Sequence, residues 1–278
     1  MSYIISSAWL NDHLNSDDTA IIDVRFQMDT PEAGYQTYEA GHIPHAIYLD
    51  LNQDLSGPAG KHGGQRPLPD IDTFAQKLGD NGIDQGKTIV IYDQGIGMFA
   101  ARAWWLLHYM GHQSVYVLDG GFAAWTAAGY PVTDALPKPM ATTFKPEILS
   151  DAAIHIETVK AKKDMPQTLL IDSRSYDRYL GKSEKLHDKA GHIPGAKNYF
   201  WKNVLNEDGT WKSREQLEAI FADVPKDTEV IVSCGSGVSA CPNIIALKTV
   251  GFTNVKLYPG SFSDWISYPE NELETTES

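Results

Sequence analysis

The 278-residue sequence repeats itself, and this internal duplication limits the possible folds more than any other feature. Four blocks of the first half recur in the same order in the second half. They are IIDVR (21–25) and LIDSR (170–174), AGHIPHA (40–46) and AGHIPGA (190–196), TIVIYD (88–93) and EVIVSC (229–234), and VYVLDGGFAAW (115–125) and VKLYPGSFSDW (255–265). Four blocks in a fixed order predict two copies of one domain.

A proline-containing stretch separates the two copies. Pro137, Pro139 and Pro146 fall within residues 133–150, where apolar residues show little periodicity. We therefore predict a first domain at 1–135, a linker at 136–150 and a second domain at 151–278.

Within each copy, short β-branched runs alternate with helical patterns. In the second copy, a strand at 230–233 precedes a glycine-rich turn, a helix at 242–250 and another strand at 255–258. Ser213 and Gln216 match a capping box, which marks the start of a helix. This alternation predicts an α/β fold in which each domain has a mostly parallel sheet flanked by helices. Ligands of such sheets bind at the carboxyl ends of strands.

Charge and composition exclude several classes of partner. The chain has 23 basic and 36 acidic residues, a net charge of −13, so it repels polyanions. No run of 18 apolar residues is present, and the N-terminus lacks the basic start and apolar core of a signal peptide. We expect neither nucleic acid nor a membrane as partner. A small anionic ligand would need a local positive potential in its site.

Only two cysteines are present, Cys234 and Cys241, which fits a cytoplasmic protein better than a secreted disulfide scaffold. Seven residues apart on a loop and helix, they lie about 10 Å apart, too far for a disulfide. Without a nearby histidine cluster they do not predict a metal site. We expect Cys241, inside the helical turn, to be an inert buried thiol.

The loop CGSGVSACP (234–242) carries the strongest chemical signal. Cys234 ends a predicted strand, and Gly235 and Gly237 follow before a helix begins. Glycines let such a loop curl until its N–H groups point inward as an anion-binding nest, and the helix N-terminus adds partial positive charge. These surroundings favour a thiolate, so we predict that Cys234 is a nucleophile.

The two halves resemble rhodanese domains, and CGSGVSAC resembles the active-site loop C-G-S/T-G-V-T-A-C of 3-mercaptopyruvate sulfurtransferases. The resemblance covers essentially the whole chain. It implies that the second domain is catalytic and that the first has lost its nucleophile, because Asp93 stands at the position of Cys234. It further implies that Cys234 takes sulfur from a small anionic donor as a persulfide, without a cofactor. A thiol, cyanide or a thioredoxin-like protein then accepts the sulfur.

The charge of this loop bears on the choice of donor. Family members that prefer the dianion thiosulfate resemble C-R-K-G-V-T, whereas Gly235 and Ser236 stand at the two cationic positions here. Their absence favours the monoanionic carboxylate of 3-mercaptopyruvate. Two alternatives stay open, a thiosulfate:cyanide sulfurtransferase and a non-enzymatic rhodanese binding module. The phosphatases that share this fold need an arginine where Ala240 stands.

The resemblance also implies which residues bind the donor. Arg178, in DRYLG, matches the arginine of the family's R-F-x-G pattern and is expected to bind the carboxylate. The family's second arginine, in E-P-R, is absent from SEKLH (183–187), where Lys185 or His187 is the candidate replacement. We expect the rest of the substrate-binding set to come from the nucleophile's loop: Gly235, Gly237, Val238 and Ser239.

Ser236 and His42 complete the predicted catalytic set with Cys234. Ser236 is a candidate hydrogen-bond donor, and the resemblance pairs it with a histidine of the H-I-P-G segment in the first domain, here His42. Both copies keep GHIP, with His192 in the second, so a turn-forming role for both histidines remains an alternative. The last repeated charges, Asp23 with Arg25 and Asp172 with Arg174, are expected to be framework pairs at strand ends.

Overall fold

The computed structural model describes residues 2–276, and the chain divides into two compact units. The first unit comprises the chain up to Gly57 together with Leu68–Leu149 and Leu205–Trp211. The second comprises Pro58–Pro67, Ser150–Val204 and the chain from Lys212 onward. Within residues 2–276, no helix combines the length and the apolar character needed to cross a membrane.

The first unit contains five parallel strands in the order β1-β5-β4-β2-β3. The strands are β1 (Ile4–Ile5), β2 (Thr19–Asp23), β3 (Ile47–Tyr48), β4 (Thr88–Tyr92) and β5 (Val115–Leu118). The helices are α1 (Ser7–Asp12), α2 (Ala33–Ala40), α3 (Ile71–Asp80), α4 (Met98–Tyr109) and α5 (Gly121–Ala127). The core includes Leu10, Ile21, Val90, Leu118 and Trp125.

The second unit contains four parallel strands in the order β7-β6-β8-β9. The strands are β6 (Thr168–Asp172), β7 (Lys197–Asn198), β8 (Glu229–Ser233) and β9 (Val255–Leu257). The helices are α6 (Ile156–Lys162), α7 (Tyr176–Tyr179), α8 (Arg214–Ile220), α9 (Cys241–Thr249) and α10 (Ser261–Trp265), and single 3₁₀ turns lie at Ser150–Ala152 and Trp201–Val204. The core includes Val159, Leu170, Ile231, Phe262 and Trp265.

The sheet order confirms the duplication. Strands β3-β2-β4-β5 of the first unit and β7-β6-β8-β9 of the second follow one pattern, to which the first unit adds β1. The predicted helix at 242–250 and strand at 255–258 correspond to α9 and β9. Ser213 and Gln216 form the predicted capping box at the start of α8.

The repeated charges are framework pairs, as predicted. The Arg25 guanidinium binds the Asp23 carboxylate and donates to the Gly41 carbonyl, while Arg174 binds Asp172 and donates to Gly191 in the same way. Each pair therefore ties the end of a central strand to the glycine that begins the GHIP turn. All four charged side chains are buried and paired, which keeps their desolvation tolerable.

The two compact units differ from the predicted domain boundaries in two short segments, each of which groups with the other unit. Residues 58–67 belong to the second unit, where the Gly63 N–H donates to Asp264 Oδ1 at 2.7 Å and the Gln65 N–H donates to Ser263 Oγ at 3.0 Å. Residues 205–211 belong to the first unit, where the Trp211 N–H donates to Asp119 Oδ1 at 2.8 Å.

The predicted linker is also part of the first unit up to Leu149. It contains no helix or strand through that residue, yet the Thr142 N–H donates to Gly79 O and the Glu147 N–H donates to Met110 O. Phe144 is buried. These contacts hold the segment along the unit that it follows in the chain.

Candidate active site

The backbone of Cys234 is fixed on the side of α10. Cys234 directly follows β8, and 1% of its surface is exposed. Its N–H donates to Ser261 Oγ at 3.1 Å, and its carbonyl accepts from the Phe262 N–H at 3.0 Å. The next carbonyl, of Gly235, accepts from the Ser263 N–H at 2.9 Å. Three hydrogen bonds thus hold the start of the loop at the carboxyl end of its strand.

The sulfur atom lies against a backbone donor. The Gly237 N–H donates to Cys234 Sγ at 3.1 Å. Gly237 has a φ of +77°, and a Cβ placed there would lie 2.3 Å from the Pro259 carbonyl oxygen. Only glycine fits this position, so the loop sequence is what brings the N–H to the sulfur. Such a donor stabilises negative charge on sulfur.

The remaining loop residues differ in what they offer a ligand. Gly235 and Val238 are buried, whereas Ser236 and Ser239 are half-buried. The Ser236 hydroxyl has no hydrogen-bond partner within residues 2–276, and it is therefore available to a bound molecule. A Cβ placed on Gly235 would lie 3.2 Å from His187 Nε2 and 3.6 Å from Arg178 Nη2. The space of a side chain at position 235 is occupied by these two groups.

Arg178 is held next to the loop by Glu184. Its Nε donates to Glu184 Oε2 at 3.0 Å and its Nη2 donates to Oε1 at 2.9 Å, a bidentate pair. The buried carboxylate also accepts from Arg174 Nη1 at 3.2 Å and from the Leu186 N–H at 2.9 Å. Burial raises the pKa of Glu184, but the hydrogen bonds from the Leu186 N–H and from Arg178 lower it by more, so Glu184 stays ionised and positions Arg178.

Two more guanidinium groups interact electrostatically with Cys234. Arg174 is buried with its Cζ 3.8 Å from the centre of the Phe262 ring. Arg66 is half-buried; burial lowers its pKa, and its interaction with Cys234 raises it. Together with Arg178, these groups bring positive charge to the loop, which the carboxylates of Asp172 and Glu184 partly balance.

Arg66 was not predicted from the sequence. It follows Gln65, whose N–H binds Ser263, and Ser263 in turn donates to the Gly235 carbonyl. The partners are separated by about 200 positions in the sequence, so no local pattern marks this contact. Ser261 was also missed. Its signal was the replacement of Gly121 by Ser261 in the fourth repeated block.

The two candidates for the missing second arginine lie in different surroundings. Lys185 is exposed, and within residues 2–276 it forms no ion pair. His187 packs beside Gly235, and burial, the largest effect, lowers its pKa below the ordinary value. The structure thus places His187, and not Lys185, against the nucleophile's loop.

His42 has the contacts of a core residue of the first unit. Its surface is fully buried, its Nδ1 lies 2.8 Å from the Tyr38 carbonyl oxygen, and its ring stacks on Tyr38 at 4.1 Å. His192 has the same contacts with Tyr179, at 2.8 Å and 3.7 Å. The shared arrangement favours the turn-forming role for both histidines. A catalytic role for His42 stays a prediction.

Cys241 is a free, fully buried thiol at the start of α9. Its Sγ donates to the Gly237 carbonyl at 3.4 Å, a contact inside the turn. Cys234 is free as well. This environment agrees with the expectation that Cys241 is inert.

Comparisons with known proteins agree with this fold. A family profile described as "Rhodanese-like domain" matches residues 6–128 and 155–268. The probable 3-mercaptopyruvate sulfurtransferase of Pseudomonas aeruginosa is 39% identical over 278 residues, which cover 98% of each chain. The thiosulfate sulfurtransferase of Cricetulus griseus is 31% identical over 99% of this chain and 95% of its own length.

A solved structure gives the same result. SseA from Escherichia coli, whose structure is described with the 3-mercaptopyruvate sulfotransferases, superposes with a TM-score of 0.83 at 32% identity. The match covers 95% of this chain and all of that one. The chain belongs to the rhodanese family. The two tandem domains that the repeats predicted, and the rhodanese-like fold that the resemblance implied, are confirmed.

Proposed function

We propose that the protein is a sulfurtransferase that takes sulfur from 3-mercaptopyruvate and carries it as a persulfide on Cys234. The observation that carries the proposal is the position of the Cys234 sulfur. It accepts the Gly237 N–H at 3.1 Å, and Arg66, Arg174 and Arg178 lie around its loop. A thiolate and then a persulfide anion are the charges that such surroundings stabilise.

The reaction proceeds by double displacement. The Cys234 thiolate attacks the donor's sulfur, an S–S bond forms, and the C–S bond breaks to release the enolate of pyruvate. The backbone donors of the loop, including Gly237, stabilise the persulfide anion. A second nucleophile, which is a small thiol, cyanide or a thioredoxin-like protein, then attacks the outer sulfur and restores the thiolate.

Arg178 binds the donor's carboxylate in this proposal. Glu184 occupies the edge formed by its Nε and Nη2, and the guanidinium still lies 3.6 to 3.9 Å from the Cβ position of Gly235. Ser236 donates its hydroxyl to the donor's keto oxygen, and Gly235, Val238 and Ser239 form the wall of the site. Lys185, exposed, attracts the anion from a distance only.

The second candidate donor is thiosulfate. Arg66 and Arg174 supply cationic charge near Cys234 even though Gly235 and Ser236 do not, and a thiosulfate sulfurtransferase is among the relatives. We place the protein in the cytoplasm, because both cysteines are free thiols.

Steady-state kinetics with both donors and cyanide as acceptor test this proposal. Thiocyanate formation measures the transfer, and pyruvate formation measures release from 3-mercaptopyruvate. We expect the higher kcat/KM with 3-mercaptopyruvate, because its monoanionic carboxylate suits a loop without its own cations. A higher kcat/KM with thiosulfate would show that thiosulfate is the preferred donor. If neither donor gave thiocyanate, the proposed sulfurtransferase activity would be refuted.

A further inference from the structure

The imidazole of His187 lies directly against the nucleophile's loop. Its Nε2 is 3.2 Å from the position of a Cβ on Gly235, and its ring centre is 5.5 Å from that of Phe262. Phe262 is the residue whose N–H holds the Cys234 carbonyl. His187 therefore packs beside Gly235, the residue next to Cys234, and beside Phe262.

Both ring nitrogens of His187 are buried without a hydrogen-bond partner among residues 2–276. Most buried polar atoms in proteins are paired, because an unpaired one loses its hydration without compensation. One unpaired nitrogen is common in a histidine; His42 and His192 each have one, at Nε2, while Nδ1 binds a tyrosine carbonyl. Two unpaired nitrogens beside a nucleophile indicate that a bound molecule completes the site.

The surroundings keep this ring neutral at physiological pH. Burial lowers the pKa of His187 most, and the charges of Arg178 and Arg174 lower it too. The carboxylates of Glu184 and Asp172 raise it, but by less. A neutral imidazole has one N–H donor and one acceptor nitrogen, so it can accept and release a proton at the same time.

We propose that His187 transfers a proton from the captured sulfur to the leaving carbon. The inference rests on the proposed function, in which 3-mercaptopyruvate is the donor and Cys234 the nucleophile. When the Cys234 thiolate attacks the thiol sulfur, the S–S bond forms and the electron pair of the C–S bond moves into the enolate of pyruvate. The transferred sulfur still carries its proton, as –S–SH.

His187 then accepts one proton and donates another. The acceptor nitrogen of His187 takes the proton from the persulfide, and its N–H delivers a proton to the methylene carbon of the enolate. The products are pyruvate and a persulfide anion, and His187 is left neutral in its other tautomer. No proton is gained or lost overall. The persulfide anion is the form that the Gly237 N–H stabilises.

Kinetic measurements with thiosulfate as donor distinguish this role of His187 from a structural one. Its leaving group, sulfite, departs without protonation at carbon, so a proton relay matters only for 3-mercaptopyruvate. His187→Gln keeps a donor and an acceptor in the ring's place but cannot relay a proton. We expect kcat/KM with 3-mercaptopyruvate to fall by about a hundredfold or more, the usual effect of proton transfer by a positioned side chain.

Two references accompany this variant. The kcat/KM with thiosulfate and the rate of Cys234 alkylation by iodoacetamide should stay near the wild-type values. His155→Gln, the same substitution at an exposed histidine of the second unit, should change none of these quantities. Equal losses with both donors, or slowed alkylation, would show that His187 only supports the loop and would overturn the relay.

The pH profile gives a second readout. Only the neutral ring can accept the proton, and because its pKa is lowered from the ordinary value of 6.5, it protonates only at acidic pH. The ratio of kcat/KM for 3-mercaptopyruvate to that for thiosulfate should therefore be constant near neutrality and fall at acidic pH. In His187→Gln this fall should disappear, and its persistence would contradict the relay.

The relay and the proposed function fail in different ways. If wild-type protein forms no Cys234 persulfide with 3-mercaptopyruvate, the donor assignment is wrong. If the persulfide forms and His187→Gln forms it equally fast, the proposed function stands and the relay is refuted.

Discussion

The loop after β4 and the loop after β8 occupy the same place in their sheets but hold different anions. In the first unit, the Asp93 carboxylate accepts four backbone N–H groups, of Gly95, Gly97, Phe99 and Ala100, at 2.9 to 3.2 Å. In the second unit, the Cys234 sulfur accepts the Gly237 N–H. In the first unit, the Asp93 carboxylate therefore occupies the anion site of the loop. In the second unit, the Cys234 sulfur lies at the corresponding site.

The backbone around the two loops is otherwise alike. The Phe122 N–H donates to the Asp93 carbonyl at 2.8 Å, as the Phe262 N–H donates to that of Cys234. At the preceding position Gly121 has a φ of +57° and Ser261 one of +52°. A Cβ on Gly121 would lie 2.5 Å from the Asp93 carbonyl oxygen, whereas the Ser261 hydroxyl accepts the Cys234 N–H.

The units also differ in the residue before their matching tyrosines. Tyr38 and Tyr179 each donate to a carbonyl after the GHIP turn, of Ala46 and Ala196, at 2.8 Å. The residue before Tyr38 is Thr37, which binds the Ala33 carbonyl of its own helix, whereas the residue before Tyr179 is Arg178. The comparison teaches that the two units share one backbone framework and differ in the side chains at the positions of Cys234 and Arg178.

The largest effect is expected at the nucleophile itself. Cys234→Ser should abolish sulfur transfer with every donor, because a hydroxyl in the same loop cannot form a persulfide. Cys241→Ser should keep most of the activity, since the Cys241 thiol is buried at the start of α9 and donates to the Gly237 carbonyl. Thiocyanate formation measures both variants. Turnover retained in Cys234→Ser would refute the mechanism.

The second effect concerns the filled loop of the first unit. Asp93→Asn replaces one carboxylate oxygen with an NH₂ group that faces N–H donors, so buried hydrogen bonds are lost. We expect the free energy of unfolding to fall by about 1.5–3 kcal/mol, the usual range for hydrogen bonds to a charged group. Urea unfolding measures the loss, with Asp134→Asn, an exposed aspartate of the same unit, as control. An unchanged midpoint would mean that the carboxylate does not hold this loop.

The third prediction tests whether Arg178, at the position where the first unit has Thr37, binds the substrate. Arg178→Ala should raise the KM for 3-mercaptopyruvate about tenfold or more, because a charged hydrogen bond to the carboxylate is lost. Lys185→Ala, the neighbouring exposed cation, should leave the KM nearly unchanged. If the two variants behave in the opposite way, Lys185 and not Arg178 binds the carboxylate.

The smallest effect concerns the charge of the nucleophile's loop. Ser236→Lys adds a cation beside the thiolate, and Coulomb attraction scales with the charge of the ligand. The ratio of kcat/KM for thiosulfate to that for 3-mercaptopyruvate should therefore rise. Both donors share the nucleophile, so the ratio isolates the effect of charge on donor choice. A flat ratio, or wild-type preference for thiosulfate at low salt, would contradict this explanation.

The repeats were sufficient to predict the fold, because each repeated block contains a strand end or a turn that the sheet requires. The same comparison located Cys234 and its counterpart Asp93. It did not reveal that four N–H groups surround Asp93, since backbone donors leave no mark in the side-chain sequence.

Other parts of the site depend on contacts between distant residues. Arg66 is held in the second unit by the contact of its neighbour Gln65 with Ser263. The segment around Arg66 has no periodicity that predicts where it packs. The sequence named both Lys185 and His187 and favoured Lys185 for the substrate-binding set, because neither spacing nor charge shows which side chain faces Gly235. Their burial distinguishes them in the folded chain.

The most direct test of the difference between the two units is the number of sulfur atoms bound per chain. Wild-type protein is incubated with sulfur-labelled 3-mercaptopyruvate without acceptor, and the adduct is located by mass spectrometry with fragmentation. We predict one added sulfur, about 32 Da, on Cys234 in each chain, as expected for a covalent persulfide intermediate. Two sulfurs per chain, a label on Cys241, or no label on Cys234 would contradict a single nucleophile in the second unit.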